Sequence, residues 1–105
     1  YEEGIIETNT ELHAGEVETS KMLYLAPETV QMDKAVDFAP EVKRPFLNYG
    51  SIFRATPTGV WGEPTKSSAE KGRLILERTV KFVIDEMNAA FDYMSKKERF
   101  GYSDF

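Results

Sequence analysis

The chain has 105 residues, which is one domain at most and leaves room for only a modest core. Hydrophobic residues make up 41% and charged residues 30%, the proportions of an ordinary globular protein rather than a disordered one. The net charge of −5 argues against nucleic-acid binding, and no apolar run approaches the ~18 residues of a membrane span. Without cysteine, the chain has neither disulfides nor thiolate metal ligands, which fits a cytoplasmic location.

The amino-terminal part is predicted to be a loop followed by a short helix. Residues 1 to 12 show no hydrophobic periodicity, so we expect them to be irregular. Glu16 and Glu18 then precede a more apolar stretch, and acidic residues are typical of the first turn of a helix. Because Pro27 cannot continue a helix, we predict one from about Gly15 to Leu25.

The middle of the chain is predicted to be mostly loop. Three prolines interrupt residues 27 to 49, with room for one helical turn near Glu28 to Met32. Ile52 and Phe53 suggest a short strand, and the prolines and glycines of residues 56 to 65 are typical of turns. Long irregular segments of this kind are often functional.

The clearest predicted element is a long helix over residues 67 to 97. Ser67 and Glu70 have the spacing of a capping box, in which two side chains satisfy free backbone donors. Apolar residues then recur every three or four positions, at Ala69, Gly72, Leu76, Val80, Val83, Met87, Ala90 and Met94. This stripe needs a broad apolar surface opposite it. Since the rest of the chain offers few strands, we expect that its partner layer lies elsewhere.

The segment from Glu11 to Ser20 has the residue types that carry chemistry. It contains His13, the only histidine, with glutamates close on both sides. Imidazole and carboxylate can bind a divalent metal together, and histidine can instead transfer a proton near neutral pH. The plainer interpretation makes His13 a surface or structural residue and Glu16 a first-turn helix acid, and the residues themselves leave both open. One helix start cannot enclose a two-metal site, which needs ligands from several segments.

Two blocks of the sequence resemble the creatininase (creatinine amidohydrolase) family. His-Ala-Gly-Glu-Val-Glu-Thr-Ser at residues 13–20 resembles a stretch that opens a helix in that family. Gly-Val-Trp-Gly-Glu-Pro-Thr at 59–65, followed by Ala-Glu-Lys-Gly at 69–72, is similar to the block before its last helix. The resemblance covers roughly residues 5–95 and implies an α/β fold, a mostly parallel sheet flanked by helices. Residues 1–105 would be the carboxy-terminal part of one such domain, completed by another segment or chain.

The resemblance also implies an activity and a set of site residues. Family members are amidohydrolases with a pair of divalent ions, often zinc, manganese or iron, which would activate water to cleave an amide or cyclic amide C–N bond. His13 matches the family's proton-transfer histidine, and Glu16 matches a position that is glutamate in many relatives; both are predicted to be catalytic. Glu18 matches the glutamate before Thr-Ser and is predicted to belong to the metal site.

Partners follow from the same resemblance. Most metal ligands of the family lie in an amino-terminal part whose motifs are absent here, so we expect a companion segment or chain that carries them. Family members are often homohexamers, so we also expect a homo- or hetero-oligomer that acts on a small-molecule amide. Leu12 and Asn9 stand where creatininase proper has Glu and Trp, which leaves the substrate open. The alternative function is a non-catalytic structural or interaction subunit; an unrelated metallopeptidase is disfavoured because HExxH is absent.

Overall fold

The computed structural model describes residues 1 to 96, a stretch dominated by helices. Its α-helices are α1 (Glu16–Leu25), α2 (Ile52–Ala55) and α3 (Ala69–Lys96). Short 3-10 helices lie between them at Pro27–Thr29, Met32–Lys34, Arg44–Asn48 and Pro64–Lys66. No β-strand forms within these 96 residues, although two isolated β-bridges join distant segments. None of the helices in this stretch combines the length and hydropathy that a membrane span requires.

The structure confirms both long helices and corrects one predicted strand. Helix α1 begins one residue after the predicted Gly15, and α3 follows the predicted stripe; the predicted end at residue 97 lies outside the described residues. The helical turn expected near residue 28 is the 3-10 helix Pro27–Thr29. The strand prediction at Ile52–Phe53 is wrong, because the N–H of Thr56 donates to the carbonyl of Ile52 and closes a helical turn. Two adjacent apolar residues carry too little periodicity to separate the alternatives.

The predicted capping box at the start of α3 is also wrong. Ser68, not Ser67, is the N-cap: its carbonyl accepts the N–H of Gly72 at 3.0 Å, and its hydroxyl accepts the N–H of Lys71 at 3.1 Å. The cap is therefore one residue later than predicted, and the third helical residue is Lys71 rather than Glu70. The reciprocal bond of a capping box needs a glutamate or glutamine at that position.

Helices α1 and α3 cross in close contact where Ser20 meets Gly72. Both residues are buried, and a Cβ added to Gly72 would overlap the carbonyl oxygen of Ser20, so this approach requires glycine. Two further bonds hold the crossing. The N–H of Ser68 donates to the Ser20 hydroxyl at 3.2 Å, and the Ser67 hydroxyl donates to the carbonyl of Glu16 at 3.2 Å.

The rest of α3 extends beyond this crossing without cover from the described residues. Every residue from 77 to 96 is exposed, including large apolar side chains such as Val80 and Phe91. Among residues 1 to 96, the buried side chains that are mainly apolar are those of Trp61 and Pro64. The apolar stripe is therefore real, but the surface that it needs is not in this part of the chain.

Candidate active site

The backbone of His13 is fixed by Trp61. The two residues form an isolated antiparallel bridge, in which each N–H donates to the other's carbonyl at 2.9–3.0 Å. The N–H of Leu12 donates to the same Trp61 carbonyl at 2.9 Å. Trp61 is only 6% exposed, whereas 53% of the His13 side chain is exposed. The two sequence blocks that carry the family resemblance therefore lie side by side, with an anchored backbone and an accessible imidazole.

Glu18 lies next to the imidazole of His13. Its Oε2 is 3.9 Å from His13 Nδ1, and both side chains are about half exposed. The same oxygen accepts a short hydrogen bond from the backbone N–H of Ala14. Ala14 has a φ of +52°, a left-handed conformation that is uncommon without glycine and that recurs at functional sites. Glu18 thus bonds to the sharp turn that joins His13 to helix α1.

A second carboxylate, Glu11, caps α1 from outside the helix. Gly15 occupies the N-cap position and has no side chain to bond the free backbone donors. The carboxylate of Glu11 acts as the missing cap, because its two oxygens accept the N–H groups of Glu16 and Val17 at 2.9 and 3.0 Å. A Cβ on Gly15 or Gly62 would overlap the Glu11 carboxylate, so both glycines make room for it. Burial raises the pKa of Glu11 above its ordinary value, although these N–H bonds lower it.

Glu16 is completely buried, and its carboxylate is surrounded by donors. It accepts the N–H groups of Glu7 and Thr8, each at 3.0 Å, and the ammonium of Lys71 at 2.6 Å. Burial alone would raise the pKa of Glu16, but Lys71 and the two N–H groups outweigh it and hold the pKa below its ordinary value. The predicted catalytic residue Glu16 is thus enclosed by its own chain, whereas His13 faces solvent.

Lys71 connects α3 to the segment that precedes His13. Its Nζ lies 2.6 Å from Glu16, 2.5 Å from Glu7 Oε2 and 2.6 Å from the carbonyl of Lys66. Sequence reasoning missed both Lys71 and Glu11 as parts of the site. Each lies in or beside one of the two family-like blocks. A glycine at the N-cap of α1 is the signal that another side chain must bond the free N–H groups of that helix. The acidic partners of Lys71, Glu7 and Glu16, are more than fifty positions away, so spacing alone did not reveal its role.

The described residues do not form a metal centre by themselves. Within residues 1 to 96, no group of three or more His, Cys, Asp or Glu side chains is placed to hold an ion. His13 and Glu18 are donor types that zinc and manganese accept, but two donors are fewer than such ions need from protein. This part of the chain therefore does not fit a complete metal site.

An open cleft of about 400 Å³ borders the residues next to His13 and Glu18. Ala14 and Thr19 form one wall. The other walls combine apolar and polar side chains, among them Val30, Gln31, Met32, Lys34, Thr58 and Val60. The cleft thus presents an accessible, mixed surface that includes the chain neighbours of His13 and Glu18.

Known proteins match this chain over most of its length. A family model described as creatinine amidohydrolase matches residues 2–87. The creatinine amidohydrolase of Pseudomonas putida is 36% identical over 92 residues, which is 87% of this chain and 35% of that protein. The mycofactocin precursor peptide peptidase of Mycobacterium ulcerans (strain Agy99) is 39% identical over 71 residues, 65% of this chain and 28% of that protein. The chain spans about a third of the length of these relatives.

Solved structures of creatininases superpose on most of this chain. A manganese form of creatininase superposes with a TM-score of 0.66 at 35% identity, over 87% of this chain and 35% of that one. A mutant creatininase of Zn-Zn type gives 0.65 at 35% identity, with the same coverage of both chains. A putative creatinine amidohydrolase from Bacteroides fragilis gives 0.60 at 29% identity, over 96% of this chain and 40% of that one. These neighbours have a layered α/β fold, the predicted class.

Proposed function

Because the chain belongs to the creatininase family, we propose that it is the carboxy-terminal part of a metal-dependent amidohydrolase domain that cleaves an amide or cyclic amide C–N bond. The bridge between His13 and Trp61 carries this proposal, since it brings the two family-like blocks together around an exposed imidazole. The open cleft beside Ala14 and Thr19 would receive part of a small-molecule substrate.

His13 is proposed to transfer a proton to the leaving nitrogen. Its Nδ1 faces Glu18 at 3.9 Å, which leaves Nε2 as the nitrogen that can reach a substrate. The backbone of His13 is held by Trp61, while its imidazole remains accessible to solvent.

Glu18 is proposed to contribute to the metal site. One of its oxygens accepts the N–H of Ala14, and the other is available to an ion or to a residue that holds one. Bound divalent ions would polarise the amide carbonyl and activate a water molecule. The related structures are described as a manganese form and a Zn-Zn form, which supports zinc and manganese as candidates. Iron is a candidate from the family resemblance alone. The remaining ligands are proposed to come from an amino-terminal companion segment or chain, in a homo- or hetero-oligomer.

Glu16 is proposed to serve the site by position rather than by contact with substrate. Its carboxylate is inaccessible and bonded to Thr8, Glu7 and Lys71. These bonds tie the irregular segment before His13 to helix α3. Glu16 therefore supports the geometry in which His13 and Glu18 meet.

Substitution of His13 tests the proton-transfer role. His13→Ala in the full-length protein is expected to lower turnover by roughly 10²-fold or more, with the assay run on creatinine and on a peptide amide. Glu18→Gln is expected to weaken the binding of divalent ions by roughly 10-fold or more, on the scale of residues that support a metal. Glu28→Gln, a matched change on an exposed turn, should alter neither quantity. Unchanged turnover in the His13 variant would refute its assignment.

The alternative is a non-catalytic structural or interaction subunit of the same fold. The juxtaposed His13 and Glu18 favour the enzyme over this alternative. Metal analysis of the full-length protein separates the two, because the enzyme should hold about two divalent ions per complete site.

A further inference from the structure

The side chain of Glu11 closes the turn that carries His13. Glu11 precedes His13 in the chain, and its two oxygens accept the N–H groups of Glu16 and Val17, which follow His13, at 2.9 and 3.0 Å. Both bonds go to backbone N–H groups, so the side chain fixes the path of the chain rather than the imidazole itself. Glu11 thus joins the residues on the two sides of His13.

The carboxylate of Glu11 lies where the two family-like blocks meet. A Cβ on Gly15, in the first block, or on Gly62, in the second, would overlap it. A Cβ on Gly62 would also lie 3.1 Å from the Cα of Gly15, so the two backbones approach each other closely beside the carboxylate. Gly62 follows Trp61, whose backbone is bridged to that of His13. Glu11 is therefore held between the helix that follows His13 and the segment that pairs with it.

The position requires two acceptors on one side chain. The N–H groups of Glu16 and Val17 are free donors of the first turn, and Gly15 has no side chain to meet them. A carboxylate meets both, because each of its oxygens accepts. A carboxamide accepts at its oxygen only and turns its NH2 group towards the second N–H. Glu11→Gln would therefore lose one bond and bring two donors together.

The turn that Glu11 closes also joins the residues of the proposed chemistry. Ala14, with a φ of +52°, donates its N–H to Glu18, and the Oε2 of Glu18 lies 3.9 Å from His13 Nδ1. We propose that Glu11 is a positioning residue, whose bonds hold this turn in the conformation that keeps His13 and Glu18 together for proton transfer. The inference rests on the proposed role of His13. Since a displacement of about 1 Å can lower turnover by roughly 100-fold, loss of these bonds should be visible in kcat.

The competing interpretation is a plain helix cap, in which Glu11 stabilises α1 and does nothing more. A double variant separates the two roles. Glu11→Ala removes the cap and vacates the space that a side chain at residue 15 would fill. Gly15→Asp in the same chain then supplies an ordinary N-cap, because an aspartate there can accept the N–H of the second or third helical residue. The φ of Gly15, −99°, is accessible to any residue. Glu11→Ala/Gly15→Asp thus keeps the net charge and the cap, but not the link across His13.

The variants are compared in the full-length protein, under conditions in which the fluorescence of Trp61 shows each to be folded. We expect Glu11→Ala to lower the urea midpoint of unfolding and the double variant to return it close to that of the parent. With creatinine or a peptide amide as substrate, kcat of the double variant should stay roughly 30-fold or more below the parent, and KM should change by less than about threefold. Glu28→Ala, on an exposed turn, is the control and should change none of these quantities.

Hydrogen exchange at the Ala14 amide provides a measurement that needs no catalysis. Mass spectrometry of the peptides that contain Ala14 should show exchange about 10-fold faster in the double variant than in the parent, because the turn opens more often and breaks the bond to Glu18. The Glu28→Ala control should exchange at the rate of the parent.

A double variant that regains stability but not kcat, with faster exchange at Ala14, supports the positioning role. Recovery of both stability and kcat shows that Glu11 only caps the helix, and overturns the proposal. A higher KM with unchanged kcat overturns it in favour of direct contact with substrate. If the parent hydrolyses neither compound, the proposed function loses its support while the exchange measurement still decides: an unchanged rate at Ala14 in the double variant would show that Glu11 does not hold the turn.

Discussion

Two regions of this protein are held together in opposite ways. Around His13, the residues that are buried are mainly polar, and within residues 1 to 96 no enclosed side-chain nitrogen or oxygen lacks a hydrogen-bond partner. In the outer part of α3, residues 77 to 96, the side chains that should be buried are apolar, and they lie exposed. The first region is stabilised by specific bonds that the chain makes to itself. The second can be stabilised only by a surface that these residues do not contain, because burial of apolar area needs a partner.

The largest difference in stability between the two regions should follow substitution of Lys71. Lys71→Met leaves the Glu16 carboxylate buried without its cation, a defect that typically costs about 3–5 kcal/mol of folding stability. Lys81→Met, the same change where the lysine pairs with Asp85 on the exposed surface of the outer region, should shift stability by no more than about 0.5 kcal/mol. Urea denaturation followed by the fluorescence of Trp61, which lies beside His13, measures both. Similar losses of stability in the two variants would show that the buried Lys71–Glu16 pair stabilises the fold no more than a surface ion pair does.

A smaller loss of stability is expected from a substitution where helices α1 and α3 cross. Gly72→Ala would favour the helical state at an open position, since alanine is the better helix former by about 1 kcal/mol. At this crossing, however, the added Cβ overlaps the Ser20 carbonyl, so we expect a net loss of about 1–3 kcal/mol from overpacking. Asn88→Ala in the outer region is the control and should be neutral or slightly stabilising. A stabilised Gly72 variant would mean that α1 and α3 separate easily.

The pH dependence of stability should also distinguish the buried Glu16 carboxylate from an exposed one. The pKa of Glu16 lies below its ordinary value of 4.5, so its ionised form stabilises the fold above that value. That contribution should disappear as the pH falls below 4.5 through the lower folded-state pKa. Glu16→Gln should therefore be less stable than the parent at pH 7, and the difference should narrow at pH 3. Glu28→Gln, exposed on its turn, provides the comparison. A gap that stays constant with pH would exclude the ionic contribution.

The sequence predicted the elements with strong periodicity and missed those that depend on distant partners. Helices α1 and α3 follow from first-turn acids, a proline stop and a repeating apolar stripe, all of which act locally. The cap of α3 falls on Ser68 instead of Ser67 because each of the two adjacent serines also bonds to α1, and local spacing does not include that contact. The short strand predicted at Ile52 forms a helical turn for the same reason: an apolar pair takes its conformation from its surroundings.

Sequence by itself determined the family, the positions of the two family-like blocks and the residue types at the candidate site. It also determined that α3 has a broad apolar face, since a helical period can be read from residue order alone. Only the tertiary structure decided that Glu16 is enclosed with Lys71 while His13 and Glu18 remain accessible. That difference depends on contacts between residues more than fifty positions apart, and burial and pKa are set by those contacts rather than by neighbours in the chain.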